Sequence, residues 1–451
     1  MINENVNSSE SKKLLIDRRT VLLGGAAATA AVGMAGALNL ETASGAGAAT
    51  KVLKVGYVSP LTGPLAGFGG ADSYVINSLA SVLKKGVMIG GEHYEIQVYL
   101  KDSQSVDSVA STVAAQLIQH DKVHIMLVGG SPDNCNPVSS VCEANAVPCI
   151  ATNSPYESWY FRDSPTKTGN YKWTYLFFWG LPQLAAVYKD IWSKVSTNKQ
   201  IGSMFPNDAD GDAYQAFFTP AYYKSLGYTA DVQYGYTDGV APGGFAAQVS
   251  SFLKANADIF MAVPIPPDFT TFWNEAMSAG YHPKVATVAK AMLFPSNANA
   301  LGDLCVNVCS EVWWSPTHPY KSSITKQSCQ QLSNAYQKTT GNQWVATLGL
   351  NHAMFEVLFA TLKKANSVNN AAIVKALSTL HINTIAGPVN WNSNPQIGGK
   401  ALKNITVTPL VGGQWRASAP GSKFPYEQIV VTNMGFPHIP RGGNVQAIKY
   451  A

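Results

Sequence analysis

Charged residues are scarce in this 451-residue chain, and they are not concentrated anywhere. Asp, Glu, Lys and Arg together make up 13% of the sequence, against 46% hydrophobic residues. The basic residues are scattered, with no Lys/Arg-rich run and no aromatic residues interleaved with one, so the sequence predicts no nucleic-acid partner. The composition is that of a globular protein with little disorder.

Catalytic motifs are missing as well. There is no G-x-S-x-G elbow and no H-E-x-x-H pair, and the eight histidines are widely spread. The stretch Gly67 to Gly70 lacks the third glycine and the acidic partner of a dinucleotide fingerprint. Asp208, Asp210 and Asp212 resemble part of a calcium loop, but its twelfth position is Thr219 rather than a bidentate glutamate. We therefore expect no enzyme, no cofactor and no metal.

The cysteines show no C-x-x-C spacing, which disfavours an iron–sulfur cluster or a zinc ribbon and with it an exported redox enzyme. An even number of cysteines in an oxidising compartment predicts disulfide bonds instead. Their connectivity stays open, because one bond within each group would leave either a bond between the groups or two free thiols. The two groups are Cys135, Cys142 and Cys149, and Cys305, Cys309 and Cys329.

Residues 1–48 are predicted to be a twin-arginine export signal. Arg18 and Arg19 precede an Ala/Gly-rich stretch from Val21 to Leu40, and Ala46-Gly47-Ala48 supplies a small-residue cleavage site. The alternative is a retained membrane anchor, which the four glycines of that stretch disfavour. No cysteine near the cleavage site could carry a lipid, and no later segment has 18 uninterrupted apolar residues. We expect an exported protein that is soluble in the periplasm after cleavage.

Two series of alternating apolar strands and amphipathic helices follow the signal. The first runs from Val52 to Ala151 and the second from Leu181 to Ala289, with an aromatic crossover at Thr174 to Gly180 between them. Such alternation predicts parallel sheets covered on both faces. Three further helices and two strands are predicted at Ser323 to Lys338, Leu348 to Asn366, Ala371 to Leu380, Ile405 to Val411 and Gln428 to Val431.

The predicted fold class is therefore α/β, with two doubly wound three-layer (αβα) lobes joined by a hinge of several chain crossings. A length of 451 residues also favours two domains. We assign 49–175 plus 318–400 to lobe 1 and 176–317 plus 401–451 to lobe 2. The three late helices are expected to pack on lobe 1.

The stretch from Gly56 to Gly69, GYVSPLTGPLAGFG, joins the first strand to the first helix. Ligands of open α/β folds bind at this edge of the sheet. In this stretch the chain resembles the type I periplasmic binding proteins, and within them the branched-chain amino acid and amide binding proteins of ABC transporters. The resemblance extends over essentially the whole mature chain through Gly129 to Ser131, Pro148 to Thr152, Asn207-Asp208 with Gly211, and Gly387 to Val389.

The resemblance implies a Venus-flytrap fold that captures a small solute between its lobes. Its partners would be the membrane permease and the ATPase of an ABC importer, and the binding protein itself would be a monomer. A sensor of the same fold that signals to a receptor is the alternative, because a fold does not fix its use.

Small polar residues follow two strands of the first series, where helix N-termini offer free N–H groups to a carboxylate. The resemblance gives the role of holding the ligand carboxylate to Ser131, Thr152 and Ser154, and Asn134 and Asn153 occupy the same strand ends. As alternatives, these residues would be turn formers and helix caps.

Four further positions complete the predicted site. The resemblance places Phe68 in a pocket wall and Asp210 at a ligand contact of the second lobe, although a core phenylalanine and a solvated turn carboxylate are the alternatives. Pro264 stands at a strand end where the family often has tyrosine, and Lys290 lies where amino-acid binders carry a glutamate for the ammonium group. These departures shift the expected ligand toward an aromatic acid, an amide or another small anion. Lys290 would pair with the anion or form an exposed salt bridge.

Overall fold

Two seven-stranded sheets form the framework of the described residues, 50–162 and 171–450 of a computed structural model. The predicted export signal lies outside these residues. Up to the first crossing the elements are β1 (Lys51–Ser59), α1 (Ala66–Gly69), α2 (Asp72–Ser78), α3 (Ala80–Lys85), β2 (Val87–Ile89), β3 (Glu92–Asp102), α4 (Asp107–Gln119), β4 (Ile125–Val128), α5 (Pro132–Ala144), β5 (Cys149–Ala151), α6 (Tyr156–Tyr160) and β6 (Thr174–Phe177).

The second half of the chain begins with a long helix and ends with antiparallel strands. Up to the second crossing it contains α7 (Leu181–Ser193), β7 (Gln200–Pro206), α8 (Ala209–Phe217), α9 (Pro220–Ser225), β8 (Thr229–Tyr236), α10 (Ala246–Lys254), β9 (Ile259–Ala262), α11 (Pro266–Ser278), β10 (Val285–Val288), α12 (Pro295–Leu301) and β11 (Cys309–Val312), with 3₁₀ turns at Ala291–Leu293 and Gly302–Cys305. The remaining elements are α13 (Cys329–Thr340), α14 (Ala346–Ala365), α15 (Asn370–Leu377), β12 (His381–Thr384), β13 (Gly387–Asn390), β14 (Gln396–Ile397), β15 (Lys400–Ala401), β16 (Ile405–Thr406), β17 (Val411–Ala417) and β18 (Tyr426–Thr432).

The predicted fold class is confirmed, because each sheet is built mainly of parallel strands flanked by helices. The first sheet has the order β16-β6-β5-β4-β1-β3-β2, and the second has the order β18-β17-β11-β10-β9-β7-β8. In the described part of these two sheets the antiparallel pairs lie at the margins, where β2 pairs with β3 and β17 pairs with β11 and β18. Two small antiparallel sheets, β12-β13 and β14-β15, lie apart from them. Central strands such as β4 and β9 are buried at every position, which is why they read as continuous apolar runs.

The chain passes between the two sheets three times, after β6, after β11 and between β16 and β17. The last passage splits the strand that we predicted at Ile405 to Val411. Pro409 lies within that segment, and its missing N–H group prevents a continuous ladder. Ile405–Thr406 pairs with β6 in the first sheet, whereas the predicted lobe boundaries assign residues 401–451 to lobe 2 and cut through β6. The lobe boundaries stay a prediction.

Helix α13 begins later than the sequence pattern indicated. We expected a helix from Ser323, but the structure begins it at Cys329. Ser328 caps the helix, since its hydroxyl accepts the Gln331 N–H at 3.2 Å and its own N–H donates to the Gln331 side chain at 2.9 Å. This capping box satisfies N–H groups that would otherwise lack partners and so determines the start.

The structure contains none of the predicted disulfide bonds, because all six cysteines are buried free thiols. The Cys135 thiol donates to the carbonyl of Thr152 at 3.2 Å, and Cys329 donates to that of Ile385 at 3.3 Å. Burial raises the pKa of Cys305, Cys309 and Cys329 to about 12. Thiols that are buried and protonated in this way are unreactive.

Helix α14 is buried along most of its length and packs on the first sheet and on α2 and α15. Among the described residues no helix has the length and apolarity needed to span a membrane. Gly349 allows Trp314 to lie against α14, since a Cβ atom at this position would be 2.3 Å from the indole ring. Trp314 is fixed in turn by a 3.1 Å hydrogen bond from its indole N–H to the carbonyl of Ile385.

Replacing Gly349→Ala should therefore lower the free energy of unfolding by about 1–3 kcal/mol, as overpacked cores do. This cost opposes the gain of about 1 kcal/mol that alanine normally brings to a helix. Chemical denaturation would measure the difference in free energy of unfolding between the variant and the parent chain. Gly70→Ala is the matched control, because its Cβ would meet no atom closer than 3.5 Å. Equal stability of Gly349→Ala and the parent chain would contradict this packing argument.

Candidate functional site

A small cavity lies where the carboxyl ends of the parallel strands in the two sheets face each other. Its volume is about 20 Å³, so the two halves lie close together around it in this structure. The sequence pattern explains the position, because loops after parallel strands meet at one edge of a sheet. The cavity is lined by Phe68, Ser131, Pro132, Asn153, Pro155, Phe178, Trp179, Asp210, Tyr214, Val263, Ala289, Lys290, Leu293, Glu311 and Trp313.

Four aromatic side chains form a continuous wall, here called the aromatic cluster: Phe68, Phe178, Trp179 and Trp313. The Phe178 ring stands edge-on to Trp313 with ring centroids 4.8 Å apart, and Phe68 stacks on Trp313 at 6.1 Å. Trp179 lies 4.9 Å from Phe178 and 6.2 Å from Trp313. Trp179 and Trp313 belong to the first two crossings between the sheets, so the hinge segments themselves form part of the cavity.

Charges from both halves meet beside this wall. The Lys290 ammonium lies 2.6 Å from a carboxylate oxygen of Asp208, 3.0 Å from one of Asp210 and 3.8 Å from one of Asp133. We call these three acids the carboxylate cluster. Asp208 and Asp210 lie at the start of α8 beside the second sheet, and Asp133 lies at the start of α5 beside the first. The three carboxylates are close enough together to hold a metal ion, but the lysine supplies the cation here.

Burial and ion pairing oppose each other at these groups. Burial lowers the pKa of Lys290, but the carboxylates of Asp208, Asp210 and Asp133 outweigh it and raise that pKa well above its usual value. Burial raises the pKa of Asp210 to about 7 although Lys290 acts to lower it. Burial also raises the pKa of Glu311 to about 7, and its carboxylate accepts the Tyr188 hydroxyl at 2.6 Å.

Three of the cavity residues have backbone conformations that side chains other than glycine rarely adopt. Ser131 has φ 100°, Asn153 has φ 63° and Lys290 has φ 56°. Strained positions of this kind cost about 1–3 kcal/mol each and cluster at ligand sites. Each follows a parallel strand, so the strain directs the chain across the cavity mouth at these three points.

A hydrogen-bond relay fixes the Asn153 amide. Its Nδ2 donates to Oδ1 of Asn351 at 2.8 Å, and Nδ2 of Asn351 donates to the Asp72 carboxylate. Asp72 also accepts the hydroxyls of Tyr57, at 2.7 Å, and Ser59. Because Asp72 accepts from Asn351, the direction of the relay is fixed. Asn153 Oδ1 is left as a buried acceptor without a hydrogen-bond partner among the described residues.

The structure brings five of the nine sequence-predicted site residues to the cavity. Phe68, Ser131, Asn153, Asp210 and Lys290 all line it. Lys290 is buried and paired, so the alternative of an exposed salt bridge is wrong. Whether these five residues contact a ligand stays a prediction.

The other four predicted residues lie beside the cavity rather than in its wall. Thr152 donates its hydroxyl to the carbonyl of Phe177 at 2.9 Å, and Asn134 donates to that of Val58 at 3.2 Å. Ser154 is buried, with its hydroxyl 3.5 Å from the carbonyl oxygen of Pro155. Pro264 is also outside the lining, whereas the adjacent residue Val263 lines the cavity. The hydroxyl of Thr152 and the amide of Asn134 brace the strand ends.

Sequence reasoning missed several lining residues, above all Trp179, Trp313 and Glu311. Trp179 lies in the aromatic crossover predicted at Thr174 to Gly180, and Trp313 lies shortly before the predicted lobe boundary at residue 317. These positions were the signal that could have identified them, because hinge segments border the cleft of a two-lobed fold. Glu311 is the third residue of a four-residue buried strand, and no local pattern distinguishes it from a structural side chain.

Comparison with known proteins agrees with the fold. A family model described as "Periplasmic binding protein" matches residues 52–414. The leucine-binding protein LivK of Thermotoga maritima is similar, with a TM-score of 0.67 and 18% identity over 84% of this chain and 99% of that one. No curated protein matches the sequence.

Two further solved structures have the same fold. A solute-binding protein of an ABC transporter from Rhodopseudomonas palustris, in complex with 3,4-dihydroxybenzoic acid, has a TM-score of 0.64 and 18% identity over 85% of this chain and 99% of that one. LivJ of Streptococcus pneumoniae, in complex with isoleucine, has a TM-score of 0.62 and 14% identity over 84% of this chain and 100% of that one. The chain belongs to the periplasmic binding protein family, with the two-lobed fold of its type I members.

Replacing Lys290→Met should destabilise the chain by about 3–5 kcal/mol, because it leaves buried carboxylates without their cation. Lys284→Met is the matched control. Lys284 pairs with Asp258 at 2.9 Å but is 53% exposed, so its loss should cost no more than about 1 kcal/mol. Denaturant unfolding would compare the two variants. If both variants lose a similar free energy of unfolding, the buried ion pair stabilises the chain no more than the surface pair does.

Stability should fall as pH rises from 6.5 to 8.5. Burial raises the pKa of Asp72, Asp210 and Glu311 to about 7, so each binds its proton more tightly in the folded chain than in the unfolded one. Stability from such groups is fully present below their unfolded pKa of about 4 and is lost as pH rises through about 7. Burial lowers the pKa of His318 and His352 to about 3 and about 4, so above pH 6.5 each opposes this trend by no more than about 0.4 kcal/mol, as the unfolded histidine loses its proton.

Melting temperatures at the two pH values would test this dependence. Each carboxyl that titrates near pH 7 should contribute about 1 kcal/mol over the interval. Glu311→Gln should reduce the difference in melting temperature between pH 6.5 and 8.5. Asp212→Asn, which alters an exposed carboxyl on α8, should leave that difference unchanged. A melting temperature that rises between pH 6.5 and 8.5 would refute the assignment.

Proposed function

We propose that the chain is the exported substrate-binding protein of an ABC importer. It captures a small solute that carries a carboxylate or an amide, such as an amino acid, an amide or an aromatic acid. The observation that carries the proposal is the cavity between facing strand ends of two parallel sheets, with unpartnered hydrogen-bonding groups in its wall. Among them are Asn153 Oδ1 and the indole N–H groups of Trp179 and Trp313, which are buried without partners among the described residues.

The three crossings between the sheets support a hinged capture mechanism. A ligand first contacts the loops of one sheet, such as those carrying Ser131 and Asn153. It then contacts Asp210 and Glu311 of the other half when the cleft closes. Only contacts that differ between open and closed forms shift the equilibrium. A preference of about 5.5 kcal/mol for the closed form takes the population from almost entirely open to almost entirely closed.

Export and partners follow from the proposed role. The twin-arginine signal predicted in residues 1–48 would deliver the chain to the periplasm. There it would act as a monomer and present its closed form to a permease and an ATPase on other chains. The alternative is a sensor of the same fold that presents its closed form to a receptor. Genes for a permease and an ATPase beside this one would favour transport.

Ligand-dependent stabilisation without turnover is the expected behaviour. Anything that binds only the folded chain raises its stability, by about 2.7 kcal/mol when present at a hundredfold excess over Kd. A thermal-shift screen of amino acids, amides and hydroxybenzoates would identify the solute, and mass spectrometry of the released compound would check that it is unchanged. Chemical conversion of the bound compound would refute the function as a binding protein.

A further inference from the structure

We propose that the solute carries a positively charged nitrogen, which lies against the aromatic cluster and faces carboxyl and amide oxygens of the cavity wall. This inference rests on the proposed function, because it assigns a charge to the solute of the same cavity. It reverses the expectation from sequence, in which Lys290 would hold an anion. A zwitterion, with a cationic nitrogen and a carboxylate, satisfies both proposals.

Two buried acceptors in the wall have no donor within the described part of the chain. They are Oδ1 of Asp210 and Oδ1 of Asn153, and both side chains are at least 95% buried. Burying an acceptor without a partner costs about 1–3 kcal/mol. The relay from Asp72 through Asn351 keeps the Asn153 amide from turning its N–H groups inward. A ligand that donates N–H bonds satisfies both oxygens.

Carboxyl groups outnumber basic groups around the cavity. Lys290 is the only basic residue in its lining, and its ammonium already lies within 4 Å of all three members of the carboxylate cluster. Glu311 adds a further carboxyl to the lining. Asp107 and Asp238 also lie close enough for Asp208 to raise their pKa, although burial is the larger cause. A second cation would favour the ionised form of these carboxyl groups, whereas an anion would oppose it.

The aromatic cluster selects the kind of cation. Faces of tryptophan and phenylalanine attract alkylated ammonium groups, which shed water more readily than a metal ion or a bare ammonium ion. Trp313 packs against Phe68 and Phe178, and all three rings line the cavity. The indole N–H groups of Trp179 and Trp313 remain to donate to a carboxylate or hydroxyl of the same molecule.

Calorimetric titration of the purified chain with two matched pairs of probes tests the charge. N,N-dimethylglycine and 3-methylbutanoate share a carboxylate and a shape but differ in whether a charged nitrogen or a carbon is at the branch. Choline and 3,3-dimethylbutan-1-ol form the second pair. In at least one pair the cation should bind about tenfold or more tightly than its carbon counterpart, since a desolvated cation–π contact contributes about 2 kcal/mol.

Variants at the cavity identify the groups responsible. Asp210→Asn should weaken binding of the cationic probe by about tenfold or more and leave binding of its carbon counterpart unaffected. Asp212→Asn, on the same helix, should change the binding of neither probe. Trp313→Leu should weaken binding of the cationic probe. Trp313→Phe should retain most of that binding, because an aromatic face remains. The melting temperature of each variant, measured alongside, shows that it is folded.

The outcomes separate this inference from the proposed function. If carbon counterparts or 4-hydroxybenzoate bind as tightly as the cations, the solute is not cationic, and the binding function for carboxylates stands. If neither cation binds at millimolar concentration, the inference also falls, and the broader ligand screen still tests the function. Conversion of a probe into a product would overturn the binding function whichever probe binds.

Discussion

One buried ammonium group joins the two halves of the molecule at the candidate site. Lys290, which follows a strand of the second sheet, is held by Asp208 and Asp210 of its own half and reaches Asp133 of the other. A buried charge is tolerated only when it is paired and hydrogen-bonded. The position of the loops that carry these acids, and with it the shape of the cavity, therefore depends on this lysine.

Coupling between ligand and hinge follows from where the wall residues come from. Trp179 and Trp313 lie in two of the three chain passages between the sheets, and Asp133 and Asp210 begin helices of opposite halves. A solute that touches these residues contacts both halves and the connection between them. The solute must then bind more tightly to a form in which the two halves come together than to any form in which they separate.

Sequence reasoning found the sheets and the edge on which the cavity lies, because both follow from local periodicity and from the chemistry of strand ends. It placed Ser131 and Asn153 correctly at this edge for the same reason. It did not find the partners of Lys290, since these are brought together by the packing of distant segments. It also predicted disulfides from cysteine number and compartment alone, whereas the orientation of Cys135 and Cys329 toward backbone carbonyls is a property of the tertiary fold.

Solved structures with similar frameworks are in complex with isoleucine in one case and with 3,4-dihydroxybenzoic acid in another, so the fold alone does not fix the ligand. In this chain the basic side chain of the lining is already neutralised, whereas oxygens of Asp210 and Asn153 remain without donors among the described residues. Adding an anion would increase the buried negative charge, and adding a cation would reduce it. Charge balance therefore favours a cationic nitrogen, and the aromatic cluster favours one that carries alkyl groups.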